Sequence, residues 1–123
     1  MRYEELCQIL GKRFPELALQ ISHYFDIWGS EYLPHLLYNE ILNPYVKELL
    51  RGASNNDSLG KVFQFYEELA TSEDEEVRNL LQVTLLEVLW DEKVILEKAY
   101  THMLPETRKA NERIREYISY PSK

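Results

Sequence analysis

Apolar residues are so dense between Ser72 and Leu89 that they cover most of the circumference of one helix. A helix that is apolar nearly all round is normally surrounded by other helices. The segment is therefore predicted to be the buried central helix of the fold, with Ser72 as its cap. An acidic run from Glu73 to Glu76 opens it, where free N–H groups and the helix dipole favour carboxylates. The apolar positions are Val77, Leu80, Leu81, Val83, Leu85, Leu86, Val88 and Leu89.

Helical spacing of apolar residues continues along the rest of the chain, and glycines and prolines separate the segments. Prolines suit the first turn of a helix, so Pro15, Pro34, Pro44 and Pro105 mark expected helix starts. Asp91 is expected to cap the helix that follows the central one. The predicted helices cover residues 3–10, 15–28, 34–42, 44–50, 59–70, 72–89, 92–103 and 106–118.

These segments predict an all-α fold class, because no segment shows the strict alternation of a strand. We expect a single-domain helical bundle of about six to eight helices spanning residues 1–123. A chain of this length buries roughly two-thirds of its unfolded surface and needs no disulfide to fold. The turn-rich stretch 51–60 is interpreted as a surface connection between two helical halves.

The net charge of −7 is distributed unevenly. Residues 57–97 carry eleven Asp/Glu against three Lys/Arg, whereas residues 98–123 carry three against six. An acidic middle section disfavours nucleic acid, which requires clustered Lys and Arg, and favours a basic protein partner. The single Cys7, the acids near the start and the lack of a long apolar run predict a cytoplasmic monomer or homodimer without membrane contact.

The sequence offers little chemistry. None of His23, His35 and His102 has a carboxylate three residues before it, so the Glu-x-x-His pairs of di-iron bundles are absent. The four glycines are isolated and form no phosphate-binding loop. We therefore expect no metal site, no cofactor and no enzymatic activity.

Three acidic clusters and one tryptophan are the candidates for partner binding, since exposed carboxylates attract basic surfaces and aromatic residues supply short-range affinity. Two of the clusters are expected at opposite ends of the central helix, roughly 20 Å apart at 1.5 Å per residue. The alternative interpretation is a solvated face together with the acids of a helix start. The candidates are Glu67, Glu68, Glu73, Asp74, Glu75, Glu76, Trp90, Asp91 and Glu92.

A second candidate surface is a dense group of aromatic residues between positions 24 and 38: Tyr24, Trp28, Tyr32 and Tyr38. These side chains either line a groove that binds a peptide or a helix, or fill an irregular helical core. Trp90 directly follows the central helix and is predicted to be the aromatic residue that is partly exposed at a helix corner.

Two resemblances add to this interpretation. Residues 59–89, with the sequence E-E-V-R-N-L-L at the start of the second helix, resemble one HEAT-type helical hairpin. The segments F-P-E (14–16), L-N-P-Y (42–45), V-F-Q-F (62–65) and V-R-N-L-L-Q-V-T-L-L-E (77–87) resemble a family of small acidic bacterial proteins of unassigned function.

Members of that family look like immunity proteins, the kind encoded beside secreted toxins. The resemblance implies a non-enzymatic interaction domain that neutralises a basic toxin, such as a nuclease, through an acidic surface. The alternative function is that of a helical adaptor or regulator, which would bind a peptide or helix in the aromatic groove.

Overall fold

The computed structural model describes residues 1–29, 33–53 and 55–117, and within these ranges the chain is helical and forms no strand. The predicted all-α class is therefore confirmed. The α-helices are α1 (Leu6–Arg13), α2 (Ala18–Trp28), α3 (Pro34–Leu37), α4 (Asn43–Arg51), α5 (Asn56–Ala70), α6 (Glu75–Asn79), α7 (Lys93–His102) and α8 (Pro105–Tyr117). The predicted end of the last helix at Ile118 lies outside the described residues.

Two π-helical segments interrupt the regular α-helical pattern. The segment π1 (Tyr38–Leu42) joins α3 to α4, and π2 (Leu80–Leu86) continues α6. A 3₁₀ segment, Glu87–Asp91, follows π2. The predicted continuous central helix is thus one helical path with three hydrogen-bonding patterns. Period analysis at 100° per residue does not apply within π2, because a π turn closes from residue i to i+5.

The central path is buried along most of its length, as predicted, but not all round. Six of its apolar side chains are at most 1% exposed: Val77, Leu80, Leu81, Leu85, Leu86 and Leu89. Val83, in contrast, is 38% exposed and Val88 is half-buried. The helix α5 is equally central, since it packs against α4, α6, π2, α7 and α8.

The two π segments contact each other, and polar groups of α3 and of the start of α4 bond to Thr84 of π2 beside this contact. Asn43 donates from Nδ2 to the Thr84 carbonyl over 2.9 Å and to Asn39 Oδ1 over 3.0 Å. The His35 Nδ1 atom is hydrogen-bonded to Thr84 Oγ1. Because buried polar groups need partners, this cluster fixes how α3 and π1 lie on π2.

An aromatic cluster packs α1 and π1 onto α5. The Phe65 ring meets Phe14 edge-on with centroids 5.5 Å apart and stacks on Tyr38 at 6.3 Å. The Tyr38 hydroxyl donates to the Leu6 carbonyl over 2.7 Å. Phe65 and Tyr38 are both fully buried.

Three helix starts predicted from the sequence differ from those in the structure, and each of these predictions is wrong. Asp74, not Ser72, caps α6, because its Oδ1 accepts the Glu76 N–H over 2.9 Å. The helix α7 begins at Lys93 with Glu92 in the cap position, and Asp91 still belongs to the preceding 3₁₀ segment. The helix predicted from residue 59 begins three residues earlier, at Asn56.

We expect two buried tyrosines to respond in opposite directions to loss of the hydroxyl. Tyr66 Oη has no hydrogen-bond partner in the part of the chain that the structure describes, so Tyr66→Phe should raise the free energy of unfolding by about 1 kcal/mol. Tyr38→Phe removes a good hydrogen bond and should lower it by about 1 kcal/mol. Urea titrations of the two variants measure both values, and a destabilised Tyr66→Phe would show that this hydroxyl has a bound partner.

Candidate functional site

The turn between α5 and α6 is tied to the start of the chain. The Tyr3 N–H donates to Asp74 Oδ2 over 2.8 Å, and the Ser72 hydroxyl donates to the Met1 carbonyl, also over 2.8 Å. The same hydroxyl accepts the Asp74 N–H over 3.1 Å. The Tyr3 N–H foremost, and after it the Glu76 N–H, hold the pKa of Asp74 below its ordinary value by donating to its carboxylate, so this carboxylate is charged and structural.

This tie brings two further acids to the turn. Glu4 and Glu5 directly follow Tyr3, and both are exposed. Together with the acidic run they form a surface that we call the acidic corner: Glu4, Glu5, Glu73, Asp74, Glu75 and Glu76. Glu4 and Glu5 could not be recognised from the sequence as members of this surface, because they lie about 70 residues from the turn and no spacing rule links them to it.

Three members of the acidic corner face solvent unpaired. Glu73, Glu75 and Glu76 are exposed, and within the described ranges their carboxylates make no hydrogen bond or ion pair. Of the nearby cations, Arg2 pairs with Glu4 over 3.0 Å and Arg78 donates to the Ser72 carbonyl over 2.6 Å, while the exposed Arg113 lines the same groove as Glu75 and Glu76. The corner therefore presents a strongly negative surface.

Glu67 and Glu68, which were predicted to face a partner, are instead bonded within the domain. The Glu67 carboxylate accepts the N–H groups of Glu106 and Thr107 and the Thr107 hydroxyl, each over 2.9 Å, and so caps α8. Glu68 holds Arg13 through two hydrogen bonds of 2.5 and 2.9 Å. The Arg13 side chain lowers the pKa of Glu68, which stays ionised in this pair.

The second predicted cluster lies at the other end of the central path, away from the acidic corner. Glu92 pairs with Arg51 over 2.7 Å at the surface, while Asp91 is exposed. Trp90 is half-buried, and its Nε1 donates to Asn111 over 2.9 Å. Trp90 is thus partly exposed, as predicted, but Trp28 is more exposed, at 61%.

Of the four aromatic residues predicted to line a groove, the three that the structure describes do not share one. Tyr38 is fully buried and Tyr24 is 7% exposed, whereas Trp28 faces solvent. The rings of Tyr24 and Trp28 are in contact, with centroids 6.1 Å apart. Tyr32 lies outside the described residues. Tyr38 belongs to the core because its hydroxyl finds a backbone acceptor there.

Within the described ranges, no cation of α8 forms an ion pair with the acids at either end of the central path. Lys109 and Arg115 bind acids one turn earlier in α8, at Glu106 and Glu112. Arg108 donates to the Met103 and Tyr100 carbonyls and lies 4.7 Å from the centre of the Tyr100 ring. Most of the cationic side chains of α8 therefore bind groups on α7 and α8.

Among the described residues, no group of three or more His, Cys, Asp or Glu side chains is arranged to hold a metal ion. The same part of the chain contains no helix that is long and apolar enough to cross a membrane. Cys7 is buried in the core beside α1 neighbours Leu6 and Leu10.

A family model described as "Domain of unknown function (DUF7674)" matches residues 7–119. The chain belongs to the DUF7674 family. The match covers most of the chain and includes every member of the acidic corner except Glu4 and Glu5. No curated protein and no solved structure matches the chain. No relative therefore indicates an activity for the DUF7674 domain, and its function is inferred from its own surface.

The half-buried His35 of the DUF7674 domain should make the free energy of unfolding depend on pH. Burial lowers the pKa of His35, and the Glu76 carboxylate opposes this shift only in part. As the pH falls below about 6.5, the unfolded chain takes up a proton at this position before the folded chain does. The free energy of unfolding should then decrease, until the pH passes the lower pKa of the folded state.

His35→Asn should remove this part of the pH dependence, because an amide retains a partner for Thr84 but does not titrate. Urea denaturation at pH 7.5, 6.5 and 5.5 measures it, with His23→Asn at an exposed position as the matched control. Equal slopes for the wild type and His35→Asn would contradict the expectation.

Proposed function

We propose that this DUF7674 domain is a non-enzymatic interaction protein that neutralises a basic protein partner, such as a toxin with nuclease activity, by covering its active surface. The observation that supports this most directly is the acidic corner, where Glu73, Glu75 and Glu76 are exposed and unpaired. The resemblance to small acidic immunity proteins gives the same class of partner.

The electrostatics of the corner suit fast capture of a cationic protein. Six carboxylates lie on two neighbouring segments against three arginines, of which Arg2 and Arg78 are engaged locally and Arg113 lines the groove beside Glu75 and Glu76. Like-signed charge concentrated at one place raises the rate of encounter with an oppositely charged surface, and salt screens this effect. These residues should therefore contribute to affinity mainly by raising the rate of association.

The corner is also rigid enough to act as a preformed surface. Asp74 caps α6 and holds the Tyr3 backbone, so the exposed acids on either side are presented from fixed main chain. A preorganised surface loses less conformational entropy on binding than a mobile one.

We propose that the protein binds its partner in the cytoplasm, as a monomer or homodimer.

The triple variant Glu73→Gln, Glu75→Gln, Glu76→Gln tests the proposal. Partner captured from the native host would be purified and its association followed by stopped flow at low and high salt. We expect the variant to associate about tenfold more slowly at low salt with little change in dissociation, and the wild-type rate to fall steeply with salt. The matched control is Glu48→Gln, Glu97→Gln and Glu116→Gln, which removes the same charge at other exposed positions.

A salt-independent rate, or equal loss in the two triple variants, would contradict the role of the acidic corner. Recovery of a partner that is not basic would contradict the proposed class. Circular dichroism checks that both variants remain folded.

A further inference from the structure

A groove runs between α7 and α8, at the end of the central path that lies opposite the acidic corner. Its apolar walls are Trp90, from the 3₁₀ segment, and Leu96 and Tyr100, from α7. The groove has a volume of about 440 Å³. Sites for small molecules measure roughly 300–1,000 Å³ and combine apolar walls with a few polar groups. We call this site the Trp90 groove.

Polar contacts hold the aromatic walls of the Trp90 groove in place. Trp90 Nε1 donates to Asn111 Oδ1 over 2.9 Å, and the Arg115 guanidinium lies 5.9 Å from the centre of the Trp90 ring. The Arg108 guanidinium lies 4.7 Å from the centre of the Tyr100 ring, which is still 38% exposed. Walls that are fixed in this way lose little conformational entropy when a ligand packs on them.

The amide of Asn111 gives the groove a hydrogen-bond donor that has no protein acceptor. Asn111 is only 2% exposed and its Oδ1 accepts from Trp90, whereas its Nδ2 donates to no acceptor among the described residues. Unlike Tyr66 Oη, this nitrogen is not sealed off from solvent. Because Asn111 lines the groove, its free N–H groups require an acceptor that lies there.

Charged groups of both signs complete the lining of the groove. The Arg115 guanidinium pairs with Glu112 over 3.6 Å, which is too long for a good hydrogen bond and leaves its N–H groups able to bind a carboxylate. Glu97 is exposed and, within the described ranges, forms no hydrogen bond or ion pair. The donors of Asn111 and Arg115 therefore favour an anionic group, and Glu97 favours a cationic group on the same ligand.

We propose that the Trp90 groove binds a free α-amino acid with an aromatic or branched apolar side chain. The carboxylate of the ligand would accept hydrogen bonds from Asn111 Nδ2 and Arg115, and its ammonium group would pair with Glu97. The side chain of the ligand would pack on the apolar walls of the groove. This site lies away from the acidic corner, so the proposal goes beyond the proposed function and does not depend on it.

The lining argues against three other kinds of ligand. A purely apolar molecule would cover Asn111 Nδ2 without offering it an acceptor, and a buried donor without a partner is unfavourable. A phosphate or a nucleotide would bring its negative charges close to the carboxylates of Glu97 and Glu112. An internal segment of a protein chain has neither a free ammonium group nor a free carboxylate, because both are part of peptide bonds.

The first experiment is a titration of the ¹⁵N-labelled full chain with L-phenylalanine. The chain has two tryptophans, so two indole signals can be followed. We expect a saturable shift of the signal of Trp90, which lines the groove, and no shift for Trp28, which does not. N-acetyl-L-phenylalanine lacks the ammonium group, L-phenylalaninamide lacks the carboxylate and L-alanine lacks the large side chain. Each should bind about tenfold more weakly than L-phenylalanine, because each loses one of the three contacts.

Two substitutions at exposed positions assign the charged contacts. Glu97→Gln should weaken binding of L-phenylalanine about tenfold but leave that of N-acetyl-L-phenylalanine unchanged. Arg115→Gln should weaken binding of L-phenylalanine about tenfold but leave that of L-phenylalaninamide unchanged. Glu48→Gln, at an exposed position on α4, is the matched control and should bind all of these ligands as the wild type does.

Three results would overturn the proposal. The first is the lack of a saturable shift at Trp90 with both L-phenylalanine and L-leucine, and the second is unchanged affinity of Glu97→Gln for L-phenylalanine. The third is equal binding of L-phenylalanine and N-acetyl-L-phenylalaninamide, which would show that the groove takes a segment of a protein chain instead. The triple Glu→Gln variant of the acidic corner should bind L-phenylalanine normally, so the two proposals succeed or fail separately.

Discussion

Phe65→Ala is expected to lower the free energy of unfolding by about 4 kcal/mol, the largest effect of any substitution considered for this chain. The Phe65 ring is fully buried between Phe14 and Tyr38, and the Arg13 guanidinium lies 5.0 Å from its centre. Truncation leaves a cavity where α1, π1 and α5 meet. Since three elements converge there, the cavity cannot close by movement of one side chain.

Urea denaturation followed by circular dichroism measures this loss. Leu19→Ala is the matched control, because Leu19 is apolar but 83% exposed and should change stability by no more than about 0.5 kcal/mol. A loss below 2 kcal/mol for Phe65→Ala would show that the core around α5 is loosely packed.

Glu67→Ala is expected to cost about 2 kcal/mol, although the residue is a partly exposed glutamate in an acidic stretch of the sequence. Its carboxylate satisfies two backbone N–H groups at the start of α8 and the buried Thr107 hydroxyl. Removal leaves these donors without their acceptor and loosens α8 from α5. Amide hydrogen exchange should increase first at Glu106 and Thr107.

The comparison with Glu73→Ala separates a structural glutamate from a surface one. Glu73 has no partner among the described side chains, so its loss should change stability by less than about 0.5 kcal/mol. Equal destabilisation by the two substitutions would remove the distinction between the cap of α8 and the acidic corner.

Much of the fold follows from apolar spacing and proline positions. Pro15, Pro34 and Pro105 each open a helical segment, and residues of the central path such as Leu80 and Leu85 are buried as predicted. The π segments could not be predicted, because a change from i+4 to i+5 hydrogen bonding leaves no recognisable pattern in segments that mix apolar and polar residues. Val83 faces solvent on the side of the helical path where Glu76 and Asn79 are also exposed.

The candidate site was predicted less completely than the fold. Charge placed Glu73, Glu75 and Glu76 at the start of a helix, where the structure has them. Charge alone could not separate these residues from Glu67 and Glu68, whose partners Thr107 and Arg13 lie 40 and 55 residues away. Pairing over such distances depends on helix packing, which a single sequence does not specify.

The wide turns of π2 have a consequence for the length of the chain. A π turn holds one residue more than an α turn, so deleting one residue inside Leu80–Leu86 can be absorbed by a return to ordinary α geometry. The same deletion inside α5 would rotate everything after it by about 100° and turn apolar side chains outward. The exposed position of Val83 makes it the place within the helical path where the polypeptide can be shortened at least cost.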